Sequence, residues 1–276
     1  MALYSNMKTH LILFSPKALA IASALAIVCG CTTVPVTGRH ELNLVSSDQE
    51  MQLGLSSFDQ LKKETPVSHD PSYNALVQRV GQKVARVADK DLPGAKWEFV
   101  VFDSAEPNAF CLPGGKVGVY TAILPICLND AGLATVLGHE SGHAVAHHGA
   151  SRMSEAMLTQ AGGQALSSTL STADPKWQSA AALAYGIGSK VGVELPYSRA
   201  QESEADHIGL VYMARAGYDP KEAIAFWQRF MEWSNQHSGS SMPAFLRDHP
   251  VDSVRIKQLQ EWLPEAEAEY AKSQKQ

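Results

Sequence analysis

The chain has 276 residues, of which 45% are hydrophobic, 18% are charged and 8% are aromatic, and its formal net charge is −5. This balance excludes intrinsic disorder, collagen and a coiled coil, because apolar content is ample and there is no low-complexity repeat. The lack of a basic excess argues against nucleic acid as a partner, since phosphate binding needs clustered positive charge. No apolar run of about 20 residues occurs, so a membrane-spanning helix is not expected either.

Residues 1–30 are predicted to be a signal peptide. Two lysines precede an apolar, alanine-rich stretch, residues 18–28, which is too short to span a bilayer. A glycine and then Cys31 follow, as at the cleavage site of bacterial lipoproteins, so Cys31 is the predicted lipidated N-terminus. Ordinary secretion or an uncleaved anchor is the alternative, because Cys29 is unusual within that motif.

The remaining chain is predicted to hold a tether, residues 31–45, and one domain, residues 46–276. A capping-box sequence beginning at Ser47 predicts a helix that reaches about residue 63. An Asp-Pro start, followed by valines and leucines at helical spacing, predicts a second helix over residues 70–89.

The middle of the domain combines a small β region with a buried helix. Residues 97–102 favour a strand, and residues 108–124 hold two β-prone pieces around Pro-Gly-Gly, which indicates a hairpin or a strand pair. Apolar spacing predicts a buried helix over residues 131–149, and a further helical stretch follows from Ser151. Residues 161–195 are weakly patterned.

The last third of the chain is helical by the same criteria. A helix is predicted over residues 196–216, another starts at Asp219-Pro220, and an amphipathic helix closes the chain after a loop over residues 237–243. The predicted fold class is therefore α+β, mostly helical, with a small sheet beside the buried helix.

The buried helix carries the motif His-Glu-Ser-Gly-His. His139 and His143 are four residues apart, so their imidazoles face the same way and can reach one ion, which indicates zinc. Glu140 is rotated by about one hundred degrees from His139, beside the position left open for water. A carboxylate there suits a base that takes a proton from water and later passes it to a leaving amine.

A catalytic zinc site usually needs a third protein ligand. His147 lies roughly 12 Å along the helix from His139, so it and His148 are expected at the surface or behind the ligands. The helix after Pro196 offers three acidic residues, and the spacing does not choose among them: Glu202, Glu204 and Asp206.

Four blocks of sequence make the chain recognisable. They are Asn108-Ala109-Phe110-Cys111-Leu112-Pro113-Gly114-Gly115, the segment from His139 to His143, the segment from Ser198-Arg199 to Ala205-Asp206, and His249-Pro250 with Arg255. Together they resemble the zinc metallopeptidases grouped around the CaaX prenyl protease and HtpX, most closely the periplasmic lipoprotein members of the BepA and LoiP type. The resemblance implies a gluzincin-like metallopeptidase domain with one zinc ion per chain.

The resemblance also implies roles for single residues. Glu202 stands three residues before Ala-Asp and would be the third ligand, while Asp206 would hold a ligand histidine in place. Glu204 would be a solvated charge on the helix surface. His249 and Arg255 match positions that approach the metal from the far side, where they would either stabilise the oxyanion or cap the zinc.

The segment before the buried helix is the predicted substrate-binding strand. Its residues are Asn108, Ala109, Phe110, Cys111 and Leu112. Cys111 departs from the alanine usual in this family, which leaves redox sensitivity open. With Cys127 it forms either a disulfide or a pair of buried free thiols, since spacing alone does not bring two cysteines within bonding range.

The predicted function is a zinc-dependent endopeptidase that degrades misfolded or stalled envelope proteins. Its predicted location is the periplasmic face of the bacterial outer membrane, based on Thr32 after the lipidated cysteine and on the resemblance. We do not expect the tetratricopeptide repeats that follow the protease domain in BepA-type members, so the shorter LoiP-like layout is favoured. Two alternatives remain: a catalytically capped, metal-stabilised lipoprotein that acts as a scaffold or chaperone-like binder, and a purely structural lipoprotein.

Overall fold

The computed structural model describes residues 31–190, 195–237, 244–250 and 252–275. The predicted signal peptide lies outside these residues, and so does the Ser-Gly-rich part of the predicted loop, residues 238–243.

Helices dominate the described residues, and the predicted α+β class with a small sheet is confirmed. In chain order the elements are β1 (Cys31–Thr33), β2 (His40–Leu42), α1 (Ser47–Glu64), α2 (Pro71–Ala88), β3 (Glu98–Phe102), β4 (Ala109–Leu112), β5 (Lys116–Tyr120), α3 (Leu124–Cys127), α4 (Asp130–Val145), α5 (His148–Thr169), α6 (Pro175–Ser189), α7 (Leu195–Arg215), α8 (Lys221–His237), α9 (Ala244–Asp248) and α10 (Ser253–Ser273). The weakly patterned residues 161–195 thus contain the end of α5, all of α6 and the start of α7.

Side-chain caps fix where the first two helices begin. The capping box of α1 is formed by Ser46 and Gln49, one residue earlier than predicted, and Glu50 is instead buried in the interior. Asp70 caps α2 by accepting from the amides of Ser72 and Tyr73.

The sheet beside α4 has three strands in the order β3-β5-β4. β3 runs parallel to β5, and β4 pairs with β5 in an antiparallel hairpin, the first of the two arrangements that the sequence left open. Gly114 and Gly115 make the turn, with φ angles of 83° and 75° that favour glycine. β4 is therefore an edge strand among the described residues, and it lies against α4.

α4 is the central helix of the fold. Asn129 caps its start through the amide of Gly132, and every residue from Gly132 to Val145 is buried. Because the whole circumference of α4 is covered, its polar residues are buried as well.

α4 and α7 come into close backbone contact at glycines. A Cβ atom added to Gly209 of α7 would lie 2.6 Å from the backbone nitrogen of His139, and one added to Gly138 would lie 2.7 Å from the carbonyl oxygen of Gly209. One turn along α4, a Cβ at Gly142 would lie 2.9 Å from the carbonyl oxygen of Ala205. Residues with side chains at these positions would push the two helices apart.

The segment predicted to be a tether is folded where the structure describes it. β1 and β2 form an antiparallel hairpin, and Val34 between them is buried. The connecting residues Thr37 and Arg39 reach Glu204 on α7, and the amide of Leu44 donates to Ser154 Oγ on α5 at 2.8 Å. We call residues 31–42 the N-terminal hairpin.

α5 and α6 form a helical pair that carries exposed apolar side chains. Trp177 is 72% exposed and Leu183 is 66% exposed. The hydroxyl of Tyr185 in α6 donates to the carbonyl of Thr159 in α5 at 2.9 Å, which holds the pair together. Within the described ranges, no helix is both long enough and apolar enough to cross a bilayer.

The helix contact predicts a stability effect at Gly209. Gly209→Ala is expected to lower the free energy of unfolding by about 1–3 kcal/mol, because the added methyl group meets backbone that cannot yield. Gly186→Ala in α6 is the control, since a Cβ there meets nothing within 4 Å and should stabilise the helix slightly. Urea unfolding of both variants measures this, and equal midpoints would contradict the account.

Candidate active site

Three side chains converge where α4 meets α7. The Nε2 atoms of His139 and His143 are 3.1 Å apart, as their i, i+4 spacing predicts. Glu202 of α7 faces both rings, with one oxygen 3.4 Å from His139 Nε2 and the other 3.3 Å from His143 Nε2. The side chains sit inside the protein, where a shared cation would be shielded from solvent.

A fourth donor comes from the residue after α9. His249 Nδ1 lies 3.2 Å from His139 Nε2 and 3.1 Å from a Glu202 oxygen. Donor atoms of His139, His143, Glu202 and His249 all lie within 4.8 Å of one another. Three imidazoles and one carboxylate are the donor set that zinc prefers, so these residues fit the ion.

The charges of the cluster favour a cation. Although burial opposes ionisation, His143 and hydrogen bonds from both motif histidines hold the pKa of Glu202 well below its usual range. Burial lowers the pKa of His143 well below its usual range, which keeps that imidazole neutral. Burial also disfavours the charged form of His139, but hydrogen bonds to Asp206 and Glu202 raise its pKa to about 9. A metal ion would take the place of that proton.

Glu140 faces the same cavity without a hydrogen-bond partner for one oxygen. It is only 4% exposed, and burial raises its pKa. Within the described part of the chain its Oε1 atom makes no hydrogen bond, and His249 Nε2 lies 3.5 Å away. A buried carboxyl oxygen left open in this way is available to a water molecule or a substrate.

Asp206 lies behind His139, as the resemblance implied. Its Oδ1 atom is 2.9 Å from His139 Nδ1, so the other ring nitrogen, Nε2, faces the cluster. Arg255 binds both oxygens of Asp206, through Nε at 2.7 Å and Nη2 at 2.8 Å. This pairing fixes the orientation of the His139 ring.

Arg255 is held by several contacts beside the cluster. Besides its two bonds to Asp206, it donates to the carbonyl of Pro250 at 2.7 Å, and its side chain is 6% exposed over the face of Trp227. Arg255 Nη1 also lies 3.3 Å from an oxygen of Glu202, so Arg255 contacts both the carboxylate behind His139 and the carboxylate that faces the two histidines. A role for Arg255 at the oxyanion stays a prediction.

The prediction that Glu204 is a solvated charge is wrong. Glu204 is 8% exposed and accepts from His148 Nε2 at 3.0 Å and from Arg39 Nε at 2.7 Å. His148 is fully buried, and its Nδ1 atom is 2.7 Å from His143 Nδ1. The sequence did not reveal this because the N-terminal hairpin, which has no marked periodicity, covers that face of α7.

The cluster opens into a cavity of about 480 Å³. β4 forms one wall, so the predicted substrate-binding residues lie beside Glu140 and His143: Asn108, Ala109, Phe110, Cys111 and Leu112. Glu50 and Arg152 also line the cavity and were missed from the sequence. Glu50 of α1 lies 2.7 Å from the ring of His147, the residue directly before α5. The two residues are far apart in the chain, so no local sequence pattern predicts this contact.

Cys111 and Cys127 are both free thiols and both are buried. Burial raises the pKa of each thiol. A buried, protonated thiol reacts slowly with oxidants, so the structure does not favour redox sensitivity at Cys111.

The fold and the buried cluster define a zinc-dependent metalloendopeptidase, and the comparisons with known proteins agree. The model of peptidase family M48 matches residues 71–263, and the chain belongs to that family. The mitochondrial metalloendopeptidase OMA1 of Schizosaccharomyces pombe is 36% identical over 235 residues, which cover 85% of this chain and 67% of the relative.

Two further relatives are less similar to this chain than the Schizosaccharomyces pombe protein, and this chain covers a smaller share of each. The human mitochondrial metalloendopeptidase OMA1 is 31% identical over 242 residues, which cover 84% of this chain and 46% of the relative. The beta-barrel assembly-enhancing protease of Escherichia coli is 27% identical over 259 residues, which cover 92% of this chain and 52% of the relative. The chain thus spans about half the length of these two proteins.

The predicted location on the periplasmic face of the outer membrane is wrong on this evidence. It was based on Thr32 and on a resemblance to bacterial lipoproteins, whereas the yeast and human relatives are mitochondrial proteins. Lipidation of Cys31 stays a prediction, because its side chain lies outside the described residues.

The geometry predicts that Glu202→Ala loses zinc. The two histidines alone leave the ion without the carboxylate that lies within 3.4 Å of both rings. Glu269→Ala is the control, since the carboxylate of Glu269 on α10 binds Arg215 at the end of α7, far from Glu202. Zinc per purified chain, measured by mass spectrometry, should fall only in Glu202→Ala, and equal contents would rule out Glu202 as a ligand.

Proposed function

We propose that the chain is a zinc endopeptidase in which His139, His143 and Glu202 hold the ion and Glu140 is the general base. The observation that carries the proposal is the open Oε1 atom of Glu140 beside the four-donor cluster. Zinc, when bound, polarises the scissile carbonyl and lowers the pKa of a water molecule.

Glu140 has the position and the chemistry of a proton carrier. Its raised pKa, caused by burial, brings the carboxyl closer to neutral pH, where it can accept a proton from the attacking water and return it to the leaving amine. Asp206 and Arg255 contribute by holding His139, whose ring would otherwise rotate in the cavity. A scaffold that only binds metal has no use for such a base, which favours the enzyme over the capped scaffold.

His249 is proposed to cap the metal in the resting enzyme. Its Nδ1 atom lies as close to His139 and Glu202 as these residues lie to each other, so it occupies a ligand position. A catalytic zinc site needs that position open. His249 directly follows the short helix α9, and the Ser-Gly-rich residues 238–243 before that helix lie outside the described residues.

Substrate is proposed to bind as an additional strand on β4. The amide of Tyr120 donates to the carbonyl of Asn108, and the register pairs Ala109 with Val119. Since hydrogen-bonded pairs alternate along an antiparallel ladder, the backbone N–H and C=O of Cys111 face away from β5 and toward the open edge. A strand edge that hydrogen-bonds to the substrate backbone recognises few substrate side chains, so it can bind unfolded proteins of many sequences.

We infer that misfolded or misassembled proteins are its substrates, as in the protein quality control implied by the family resemblance. The E. coli relative's name, a beta-barrel assembly-enhancing protease, supports clients of this kind. Casein digestion with and without a chelator tests the activity, and a folded protein of similar size serves as the comparison substrate.

Glu140→Gln is expected to keep zinc and to lose proteolysis by several orders of magnitude. Glutamine preserves the shape of the side chain but cannot accept the proton. Casein cleavage and zinc content are measured on the same preparation. Loss of zinc together with activity would show that Glu140 supports the metal instead.

His249→Ala is expected to raise basal proteolysis if the imidazole caps the metal at rest. The opposite result, a fall in kcat by on the order of a hundredfold, would assign His249 to the oxyanion. Phe245→Leu is a matched control, because Phe245 packs on the His249 ring but offers no donor atom. Unaltered kinetics in His249→Ala would eliminate both roles.

Cys111→Pro is expected to raise KM for casein, because proline removes the amide that faces the open edge. Cys111→Ala removes the same thiol and keeps the amide, so it should leave KM near the wild-type value. Steady-state kinetics with casein separate the two variants. Equal KM values would place substrate recognition elsewhere in the cavity.

A further inference from the structure

The two motif histidines are supported by different partners. In each ring Nε2 faces the cluster and Nδ1 faces the protein. His139 Nδ1 meets the carboxylate of Asp206 directly, whereas His143 Nδ1 meets a second imidazole, that of His148, at 2.7 Å. The carboxylate that completes this second arrangement is Glu204, 3.0 Å from His148 Nε2.

The positions of the protons follow from what each nitrogen must do. A ligand histidine presents the lone pair of Nε2 to the metal, so its single proton sits on Nδ1. His143 Nδ1 then donates to His148 Nδ1, which must accept. The proton of His148 therefore lies on Nε2 and points to Glu204, whose ionised oxygen accepts it.

Glu204 is itself held by the N-terminal hairpin. Thr37 Oγ1 donates to one of its oxygens at 2.5 Å, and Arg39 donates to the other through Nε and Nη2, both at 2.7 Å. Glu204 is thus fixed between α5 and the hairpin, and its charge is offset by Arg39 and not by bulk water.

We propose that His148 and Glu204 are positioning residues that fix the tautomer and ring orientation of His143, and that Thr37 and Arg39 of the N-terminal hairpin anchor this relay. The proposal rests on the proposed zinc site, since it assigns a support to one of its ligands. A hydrogen-bonded carboxylate behind a ligand imidazole raises its basicity and its affinity for zinc. The relay makes zinc binding depend on a segment far away in the sequence.

The arrangement parallels the support of His139. There Asp206 is bound by Arg255, and here Glu204 is bound by Arg39. The difference is that Arg255 is buried whereas the Arg39 side chain is 32% exposed. Arg39, at the outer end of the relay, can therefore be substituted without changing a buried core residue.

The experiment compares Glu204→Gln, Arg39→Ala, Arg39→Lys and Thr37→Val with Arg215→Ala as the control. Arg215 is matched to Arg39: it is on the same helix as Glu204, its side chain is also 32% exposed, and its ion pair with Glu269 also measures 2.7 Å. Zinc affinity is measured by competition with a chromophoric chelator. The visible absorption of the cobalt-substituted protein reports the ligand field, and kcat and KM are measured on casein.

We expect Glu204→Gln and Arg39→Ala to weaken zinc binding by roughly 10–100-fold and to shift the cobalt bands. Thr37→Val should have a smaller effect, and Arg39→Lys should recover part of the loss by keeping the charge. When the variants are loaded with zinc, kcat for casein cleavage should decrease and KM should stay unchanged. Arg215→Ala should match the wild type in all four measurements.

Two results would overturn the proposal in different ways. The first result is that the wild-type chain binds zinc and is active, while Glu204→Gln and Arg39→Ala have the same zinc affinity and cobalt spectra as the wild type. This result would refute the relay and leave the zinc site standing. A wild-type chain that binds no zinc would refute the metal site and the relay with it. If Glu204→Gln does not fold, Arg39→Ala and Thr37→Val, at partly exposed positions outside the core, decide whether the relay supports the zinc site.

Discussion

The close backbone contact between α4 and α7 is the constraint on which the site depends. Gly138, Gly142 and Gly209 let the two helix axes approach until the carboxylate of Glu202 reaches both motif histidines. The ligands come from different helices, so their geometry is only as good as this contact. The glycines at the helix crossing are therefore needed for metal binding, because they set the distance between the ligands.

Buried charge is the second constraint. Glu140, Glu202 and Asp206 are each less than 5% exposed, and Arg255 is the buried cation beside them. Carboxylates in such surroundings cost folding free energy unless cations compensate them. Zinc supplies the remaining positive charge, which explains why the fold accepts so many acidic groups around one cavity.

The sequence predicted those parts of the site that lie within one helix or one motif. The spacing of His139 and His143 is local to α4. The spacing in α7 left Glu202, Glu204 and Asp206 open, and only the family resemblance pointed to Glu202 as the third ligand. The relay through His148 and Glu204 was missed because it depends on the N-terminal hairpin, which packs on α7 through contacts between residues far apart in the chain. Helix α6 was missed because its Ala- and Gly-rich sequence lacks contrast between polar and apolar faces.

The helical pair α5–α6 connects α4 and α7, the two helices that carry the proposed ligands. Most of this pair lies away from the site, so the geometry of the site does not constrain its sequence. The entropy lost on closing a connection grows only with the logarithm of its length, by about 0.6 kcal/mol for each doubling. Beyond the first turns of α5, where His148 and Arg152 lie, the connection adds no ligand or cavity-lining residue among those the structure describes. Its length and composition can therefore vary between relatives at little energetic cost while the distance from His143 to Glu202 stays the same.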